Sequence, residues 1–270
     1  MNTKAKKSLG QNFLSDRNVL EIIVLFAGIA PGDQVLEIGP GRGALTEHLL
    51  IAGATVTALE LDDDLLPILR ERFAKYKNFS LKAGDILQLP TRDFFSEGSG
   101  YKVVANIPYY ITAPIIRKLL TEEPSPKEIT LLVQKEVAER LAGGSKQRSI
   151  LTVAAQFYSD VSLGPVIPKE YFDPIPKVES QLVKLIPKRK SANTDSDFFR
   201  IVKAGFAARR KTLFNNLVAS RLISKEDASI LFLKLDWPLQ RRAQELEISE
   251  WENLAANINF GGEPLKEKDE

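Results

Sequence analysis

The tetrapeptide Asn106-Ile107-Pro108-Tyr109 combines an amide side chain, a rigid backbone turn and an aromatic ring. The exocyclic amine of adenine is a poor nucleophile because its lone pair is delocalised into the ring. An asparagine oxygen and the Ile107 carbonyl can accept hydrogen bonds from both N–H groups, and Pro108 would hold this carbonyl pointing inward. Tyr109 can stack on the base, a contact of about 1–3 kcal/mol. The motif therefore predicts group transfer to a base nitrogen by positioning and electrostatics, without a strong base.

A glycine-rich segment, EIGPGRGA at residues 37–44, follows an apolar strand-like run and opens a helical pattern. Its glycines, Gly39 and Gly41 among them, allow a tight turn and close approach of a ligand to the backbone. The spacing also fits G-x-G-x-x-A, the dinucleotide fingerprint. The segment alone therefore does not choose between NAD and another adenosine cofactor.

Two carboxylates follow later strands of the same pattern. Glu60 ends the second strand, 21 residues after Gly39, where it can accept both ribose hydroxyls, as it also could in an NAD enzyme. Asp85 follows the third strand and can accept a hydrogen bond from an adenine amine. An enzyme that transfers hydride has no evident use for the Asn106 motif. The single histidine, His48, lies at a helical position, which argues against a histidine acid–base group of a dehydrogenase. The combination favours S-adenosylmethionine as the cofactor.

A sheet could bring these residues together. In the first 186 residues, strand-like and helix-like segments alternate, as they do in parallel α/β proteins. Apolar, β-branched runs predict strands at Gln34–Ile38, Thr55–Leu59, Asn78–Ala83, Lys102–Ala105 and Ile129–Val133, with helical spacing between them. After a predicted helix at Ser149–Tyr158, strands at Val161–Ile167 and Gln181–Ile186 are expected to form an antiparallel pair closing one edge. The prediction is an α/β, Rossmann-like, mostly parallel seven-stranded sheet with its ligands at the carboxyl ends of the strands.

The remaining chain predicts a small all-helical domain. Charged and polar residues at Lys188–Asp197 are typical of a linker, which divides the chain into residues 1–187 and 188–270. Helix starts are predicted at Ser224 with Asp227, at Ser249 with Glu252 as a capping box, and at Pro238 in a first turn.

Composition excludes several classes of protein. The chain of 270 residues is 44% hydrophobic and 27% charged, with no cysteine and one histidine, which excludes a disulfide scaffold and predicts no metal site. No apolar stretch is long enough for a membrane span, and the basic start lacks the apolar core of a secretory signal, so we expect a cytoplasmic protein. The net charge is only +2, yet residues 188–211 hold eight basic and two acidic side chains, and residues 1–7 hold three lysines. Such clusters predict an anionic partner.

The ordered motifs resemble those of the small-subunit ribosomal RNA adenine dimethyltransferases, which add two methyl groups to N6 of each of two adjacent adenines near the 3′ end of 16S rRNA. The resemblance covers nearly the whole chain and rests on six segments: Lys7–Leu14, Glu37–Thr46, Asn106–Tyr109, Gln134–Arg140, Phe172–Ser180 and Phe206–Leu217. It implies a class I methyltransferase fold, 16S rRNA in the small subunit or its late precursor as partner, and a role in ribosome biogenesis. We expect a monomer.

The resemblance also implies roles for individual residues. The expected cofactor residues are Asn12, Leu14, Gly39, Gly41, Glu60, Asp85 and Asn106. The expected catalytic residues are Asn106, Ile107, Pro108 and Tyr109, with Phe172 facing Tyr109 across a base turned out of its helix. Arg209, Arg210 and Lys211 are expected to hold rRNA phosphates, which makes binding depend on salt.

Three alternatives remain open at this stage. Isoleucine at position 107 also occurs in the erythromycin-resistance methyltransferases, which act on 23S rRNA, whereas the Gln134–Arg140, Phe172–Ser180 and Arg209–Thr212 segments resemble the small-subunit branch. A mainly non-catalytic ribosome assembly factor is expected to lose Asn106 or the glycine-rich segment, and both are present. A nucleotide-dependent oxidoreductase predicts NAD binding and no affinity for rRNA.

Overall fold

The computed structural model describes residues 5–144, 148–188 and 192–258. The strands in this part are β1 (Phe13–Leu14), β2 (Gln34–Ile38), β3 (Thr55–Glu60), β4 (Phe79–Ala83), β5 (Lys102–Asn106), β6 (Glu128–Gln134), β7 (Ser159–Ile167), β8 (Phe172–Asp173) and β9 (Ser180–Pro187). The α-helices are α1 (Arg17–Phe26), α2 (Ala44–Ile51), α3 (Leu66–Phe73), α4 (Thr112–Thr121), α5 (Lys135–Leu141), α6 (Ile150–Tyr158), α7 (Ala192–Gly205), α8 (Leu213–Ala219), α9 (Lys225–Lys234) and α10 (Ile248–Asn257). None of these helices is long and apolar enough to cross a membrane.

A seven-stranded sheet in the order β4-β3-β2-β5-β6-β9-β7 organises the first part of the chain. All neighbours pair in parallel except β9, which runs antiparallel to both β6 and β7. The predicted Rossmann-like fold with a mostly parallel seven-stranded sheet is therefore confirmed. The chain leaves β2 toward β3 and β4 and then returns to β5 on the other side, so a topological switch point lies beside β2, where such sheets bind ligands.

Continuous apolar runs produce the central strands because both faces of a parallel sheet are covered. Residues 35–38 of β2 and residues 102–105 of β5 are all buried. A second, two-stranded sheet pairs β1 with β8, so that Phe13 faces Asp173 and Leu14 faces Phe172 in the register. This small sheet ties the amino-terminal segment to a distant part of the chain.

The described chain divides into two compact units, Met1–Ala142 with Tyr158–Lys188, and Gly143–Phe157 with Arg189–Glu270. The second unit includes residues 143–157 as well as the chain that follows Lys188. Phe157 explains this assignment, because its ring stacks on Phe198 with centroids 4.1 Å apart. Trp251, which is completely buried, stacks on Phe206 in the core of this helical unit.

Three local predictions in the second unit were wrong. The expected linker Lys188–Asp197 is helical from Ala192 onward, while 189–191 lie outside the described residues, as do 1–4 of the amino-terminal basic cluster. The capping box of α10 uses Glu247 and Glu250 rather than Ser249 and Glu252. Pro238 does not begin a helix, since its carbonyl accepts a hydrogen bond from the amide of Arg241 in a turn. The predicted cap at Ser224 is correct, because its hydroxyl accepts from the amide of Asp227.

Candidate active site

A cavity of about 360 Å³ opens beyond the carboxyl ends of β2, β3 and β5. Its volume lies in the range usual for sites that hold cofactors and small molecules. Its wall contains all the residues expected to hold a cofactor: Asn12, Leu14, Gly39, Gly41, Glu60, Asp85 and Asn106. Ile107, Pro108 and Tyr109 line the same cavity. The fold therefore brings together two sets of residues that are far apart in the sequence.

The glycine-rich turn between β2 and α2 depends on residues without a side chain. Gly39, Gly41 and Gly43 have φ angles of +67°, +58° and +83°, a region that other residues rarely adopt. A Cβ atom on Gly43 would lie 2.5 Å from the ring of Phe73, and one on Gly41 would lie 3.1 Å from the ring of Phe13. The turn consequently brings its backbone close to the cavity and to the amino-terminal segment at once.

Glu60 is buried at the end of β3, with 5% of its surface exposed. Its Oε1 accepts a hydrogen bond from the amide of Asp62 at 2.8 Å, and its Oε2 accepts one from the amide of Gly41 at 3.0 Å. Burial raises the pKa of Glu60, and the backbone hydrogen bonds oppose that rise only in part. Each oxygen keeps a further acceptor position, so the carboxylate is suited to receive the two hydroxyls of a ribose.

Asp85 lies half-buried after β4, and its Oδ1 accepts a hydrogen bond from the amide of Leu87 at 2.9 Å. The second oxygen is available to a donor such as an adenine amine. Two apolar residues that the sequence analysis did not single out, Leu61 and Ile86, line the cavity directly after the two carboxylates. Their only sequence signal is that each is the apolar residue following a motif carboxylate. The donor and acceptor set, with its apolar flanks, fits the adenosine part of S-adenosylmethionine.

Glu37 is a second buried carboxylate in the cavity wall, with 1% of its surface exposed. The hydroxyl of Thr46 donates to its Oε2 at 2.6 Å. Burial raises the pKa of Glu37 to about 8, with the nearby charge of Glu60 contributing in the same direction. The group therefore favours its protonated form at neutral pH. In the sequence, Glu37 stands out only as the first residue of the glycine-rich segment.

The amide of Asn106 is held at the end of β5. Its Nδ2 donates to the carbonyl oxygen of Asn12 at 3.2 Å, which leaves Oδ1 as the acceptor of the side chain. The hydroxyl of Tyr109 lies 2.8 Å from the hydroxyl of Ser180 at the start of β9, and burial raises the pKa of Tyr109. Tyr110, 60% exposed, also lines the cavity. An amide acceptor and aromatic rings thus share a cavity with the buried carboxylates.

Phe172 is not brought to this cavity wall. It is 3% exposed, belongs to the hydrophobic core and pairs with Leu14 through β8 and β1. Its expected role opposite Tyr109 across a base stays a prediction, and its register partner Leu14 does line the cavity.

The basic run Arg209, Arg210 and Lys211 lies in the turn between α7 and α8. All three residues are exposed, and none forms an ion pair with another described residue. The following residue, Thr212, caps α8 by accepting a hydrogen bond from the amide of Asn215. The three charges are therefore presented to solvent from a turn whose position is fixed by a helix cap. In the described part of the chain, no group of three acidic or histidine side chains could hold a metal ion.

Known proteins resemble this chain over nearly its full length. The relative named ribosomal RNA small subunit methyltransferase A from Bacillus licheniformis is 43% identical, and the match covers 94% of this chain and 91% of the relative. The protein of the same name from Dehalococcoides mccartyi is 39% identical, with 93% of this chain and 87% of the relative covered.

Two solved structures share the fold. A dimethyladenosine transferase from Plasmodium falciparum has a TM-score of 0.75 and 29% identity, covering 90% of this chain and 95% of the other. The 23S rRNA methyltransferase ErmE has the same TM-score at 24% identity, covering 92% of this chain and 99% of its own, and bears on the fold alone.

A family model described as ribosomal RNA adenine dimethylase matches residues 2–254 of this chain. The match includes both the glycine-rich turn and the Asn106 motif, which carried the resemblance seen in the sequence. That resemblance is confirmed: the chain belongs to the ribosomal RNA adenine dimethylase family, and is an S-adenosylmethionine-dependent rRNA methyltransferase.

Proposed function

We propose that this enzyme dimethylates N6 of two adjacent adenines in a hairpin loop near the 3′ end of 16S rRNA during assembly of the small ribosomal subunit. The observation that carries the proposal is the shared cavity, in which the Asn106 motif meets the carboxylates Glu60 and Asp85. The small-subunit methyltransferases that resemble the chain over more than 90% of its length favour 16S over 23S rRNA.

The cofactor is held by groups that ordinary hydrogen bonding can satisfy. Glu60 accepts the two ribose hydroxyls, Asp85 accepts the adenine amine, and Leu61 and Ile86 provide apolar surface for the adenine ring. Asn12, Leu14, Gly39 and Gly41 line the part that receives the methionine portion. When bound, S-adenosylmethionine supplies an electrophilic methyl group on its sulfonium sulfur.

The target adenine is positioned by the Asn106 motif. Oδ1 of Asn106 and the carbonyl of Ile107 accept the two N6–H bonds, which favours a tetrahedral nitrogen with its lone pair free. Tyr109 stacks on the base, which has to leave its helix to reach the cavity. Phe172, whose register partner Leu14 lines the cavity, is proposed to face Tyr109 across the base.

Each methyl transfer replaces one N6 hydrogen, and the released proton passes to solvent because neither acceptor can hold it. After the first transfer one N6–H remains to be accepted, so the same site can bind the base a second time. After the second transfer neither acceptor has a hydrogen left to bind. The dimethylated base therefore loses both hydrogen bonds and dissociates, which makes two methyl groups the natural end point.

Arg209, Arg210 and Lys211 contact rRNA phosphates in this proposal. Their exposure, and the lack of an ion pair to any described residue, support the role. Small subunits are assembled in the cytoplasm, where we place the enzyme. In this proposal the enzyme acts as a monomer.

Methyl transfer from labelled S-adenosylmethionine tests the proposal, with unmethylated small subunits, large subunits and naked rRNAs as substrates. The modified nucleoside is identified by mass spectrometry, and the Asn106→Ala variant serves as the matched control. Dimethyladenosine in 16S rRNA from small subunits is the expected result. Label in 23S rRNA would assign the enzyme to the resistance type. Cofactor binding without any label would leave an assembly factor that has lost the reaction.

A further inference from the structure

The amino-terminal segment, defined here as residues 5–16, forms one side of the cofactor cavity. Seven of its consecutive residues, 9–15, line that cavity. Its only regular pairing is the two-residue strand β1, so side-chain contacts must hold the rest of the segment in place. The strongest of these contacts converge on a single carboxylate, Asp62.

Asp62 lies two residues after Glu60 and is 4% exposed. Its Oδ1 accepts a hydrogen bond from Nζ of Lys6 at 2.5 Å, and its Oδ2 accepts one from Nε2 of Gln11 at 2.9 Å. Lys6 also pairs with Asp64 at 2.6 Å, and its backbone amide donates to Oε1 of Gln11 at 2.8 Å. Both oxygens of Asp62 are thus occupied by the amino-terminal segment.

A buried carboxylate needs such partners, because taking its charge out of water is costly. Burial alone would raise the pKa of Asp62, but the hydrogen bonds from Lys6, Gln11 and the amide of Asp64, together with the charge of Lys6, hold it below its usual value. The pKa of Lys6 is raised by the same contacts. Both groups therefore keep their charges at neutral pH.

Asp62 connects these contacts to the proposed cofactor site. Its backbone amide donates to Oε1 of Glu60 at 2.8 Å. One residue thus holds the amino-terminal segment with its side chain and the ribose-binding carboxylate with its backbone. A displacement of the segment would remove the cover of the cavity on the side where Glu60 lies.

The other end of the segment reaches Asn106. The carbonyl of Asn12, next to Gln11, accepts the hydrogen bond from Nδ2 of Asn106 at 3.2 Å. This bond decides which way the amide faces, because Nδ2 has to point toward Asn12 and Oδ1 away from it. The contacts at Lys6 and Gln11 therefore influence the acceptor that the proposed mechanism uses.

We propose that Lys6 and Gln11, bound to Asp62, are positioning residues that close the amino-terminal segment over the cofactor and orient the amide of Asn106. The inference rests on the proposed function for its catalytic consequence, but its effect on cofactor binding does not require rRNA. No residue of the trio has to touch the transferred methyl group.

The test compares Lys6→Met with Lys7→Met in the full-length enzyme. Lys7 is exposed, lies next to Lys6 and forms no ion pair with another described residue, so its variant removes the same charge from the same segment. Two readouts need no rRNA: the dissociation constant of S-adenosylhomocysteine by calorimetry, and hydrogen–deuterium exchange of the amides of residues 5–16 with this ligand bound. Lys6→Arg and Asp62→Asn complete the series.

Lys6→Met is expected to weaken ligand binding about tenfold, as the loss of a charge-assisted hydrogen bond does, and to speed exchange in residues 5–16. Lys7→Met is expected to match the wild type, and Lys6→Arg to recover most of the affinity. Asp62→Asn should reproduce Lys6→Met, and its melting temperature checks that it is folded. With small subunits as substrate, Lys6→Met should also lower kcat, because Asn106 loses its orientation.

Equal exchange and affinity in Lys6→Met and Lys7→Met would overturn the inference. Lys6 is partly exposed and its removal leaves the core untouched, so this comparison decides even if Asp62→Asn does not fold. If small subunits are not methylated at all but the binding and exchange differences appear, the proposed function fails and the closure of the segment stands.

Discussion

The hydroxyl of Tyr109 lies 2.8 Å from the hydroxyl of Ser180, which is completely buried at the start of β9. This contact fixes the ring proposed to stack on the target base. In Tyr109→Phe the ring remains but its anchor is lost, so we expect a several-fold lower kcat/KM for the subunit and an unchanged cofactor affinity. A double-mutant cycle with Ser180→Ala should give a coupling of about 1 kcal/mol in the free energy of unfolding. If the two substitutions changed the free energy of unfolding additively, the hydrogen bond between the two hydroxyls would be contradicted.

Asn106→Ala should abolish methyl transfer, because the variant has no side-chain acceptor for the N6 hydrogens. Binding of S-adenosylhomocysteine should remain measurable, since Glu60 and Asp85 are unchanged. Asn106→Asp is the sharper variant: it keeps an acceptor but cannot donate to the carbonyl of Asn12, so it should be impaired through orientation. Single-turnover rates measure the loss of methyl transfer, and calorimetry on the same preparations measures the binding of S-adenosylhomocysteine. Full activity in Asn106→Ala would remove this residue from the mechanism.

Reversal of Arg209, Arg210 and Lys211 to glutamate should weaken binding to small subunits. Each lost phosphate contact lowers the slope of log affinity against log salt by about 0.7–0.9. The slope is measured over a KCl series, with cofactor affinity as the internal check. The matched control reverses three exposed lysines of the other unit, Lys75, Lys77 and Lys82. If both triple variants change the slope equally, the phosphate contacts do not belong to the turn.

Glu37 gives the protein a pH-dependent stability. Its pKa is about 8 in the folded chain against 4.5 as the usual value. Between these values the folded state holds a proton that the unfolded state has released, so the free energy of unfolding falls as pH rises through this window. The limiting slope for one group is about 1.4 kcal/mol per pH unit. Urea unfolding should show a steeper fall in the wild type and in Glu71→Gln, an exposed control, than in Glu37→Gln, where only the contribution of Glu60, whose pKa is also raised, remains.

Gly43→Ala should destabilise the enzyme, since its Cβ would lie 2.5 Å from the buried ring of Phe73 at a φ of +83°. Gly98→Ala is the control, because Gly98 has a φ of +75° with nothing within 4 Å of the added atom. The control should lose about 1 kcal/mol through backbone strain, and Gly43→Ala about 1–3 kcal/mol more through overpacking. Thermal unfolding distinguishes the two. Equal losses would mean that the packing against Phe73 is easily relieved.

The sheet could be predicted from the sequence because each strand is a local signal. Buried β-branched runs such as Gln34–Ile38 and Lys102–Ala105 need no distant information to be recognised. The predicted cap of α10 was wrong because Ser249 with Glu252 and Glu247 with Glu250 have the same three-residue spacing. The structure uses Glu250 because Arg241, outside the helix, donates hydrogen bonds to both of its carboxylate oxygens at 2.7 Å.

The predicted linker failed for a different reason. Its residues from Ala192 onward form the first turns of α7, in which Phe198, Ile201 and Val202 are buried. Polar composition alone cannot distinguish the polar start of such a helix from a loop. The burial of Phe172 and the contact of Asp62 with Lys6 were equally out of reach, because both depend on partners far away in the sequence.

The pairing of β1 with β8 has a consequence for how the chain is made. Residues 13 and 14 leave the ribosome before their strand partners at 172 and 173, which follow roughly 160 residues later. During synthesis the amino-terminal segment therefore waits without its strand partner while the strands of the parallel sheet emerge in turn. A nascent chain that ends before β8 therefore has the carboxylates of the site but lacks the strand pairing of Phe13 and Leu14, two residues of the cavity wall.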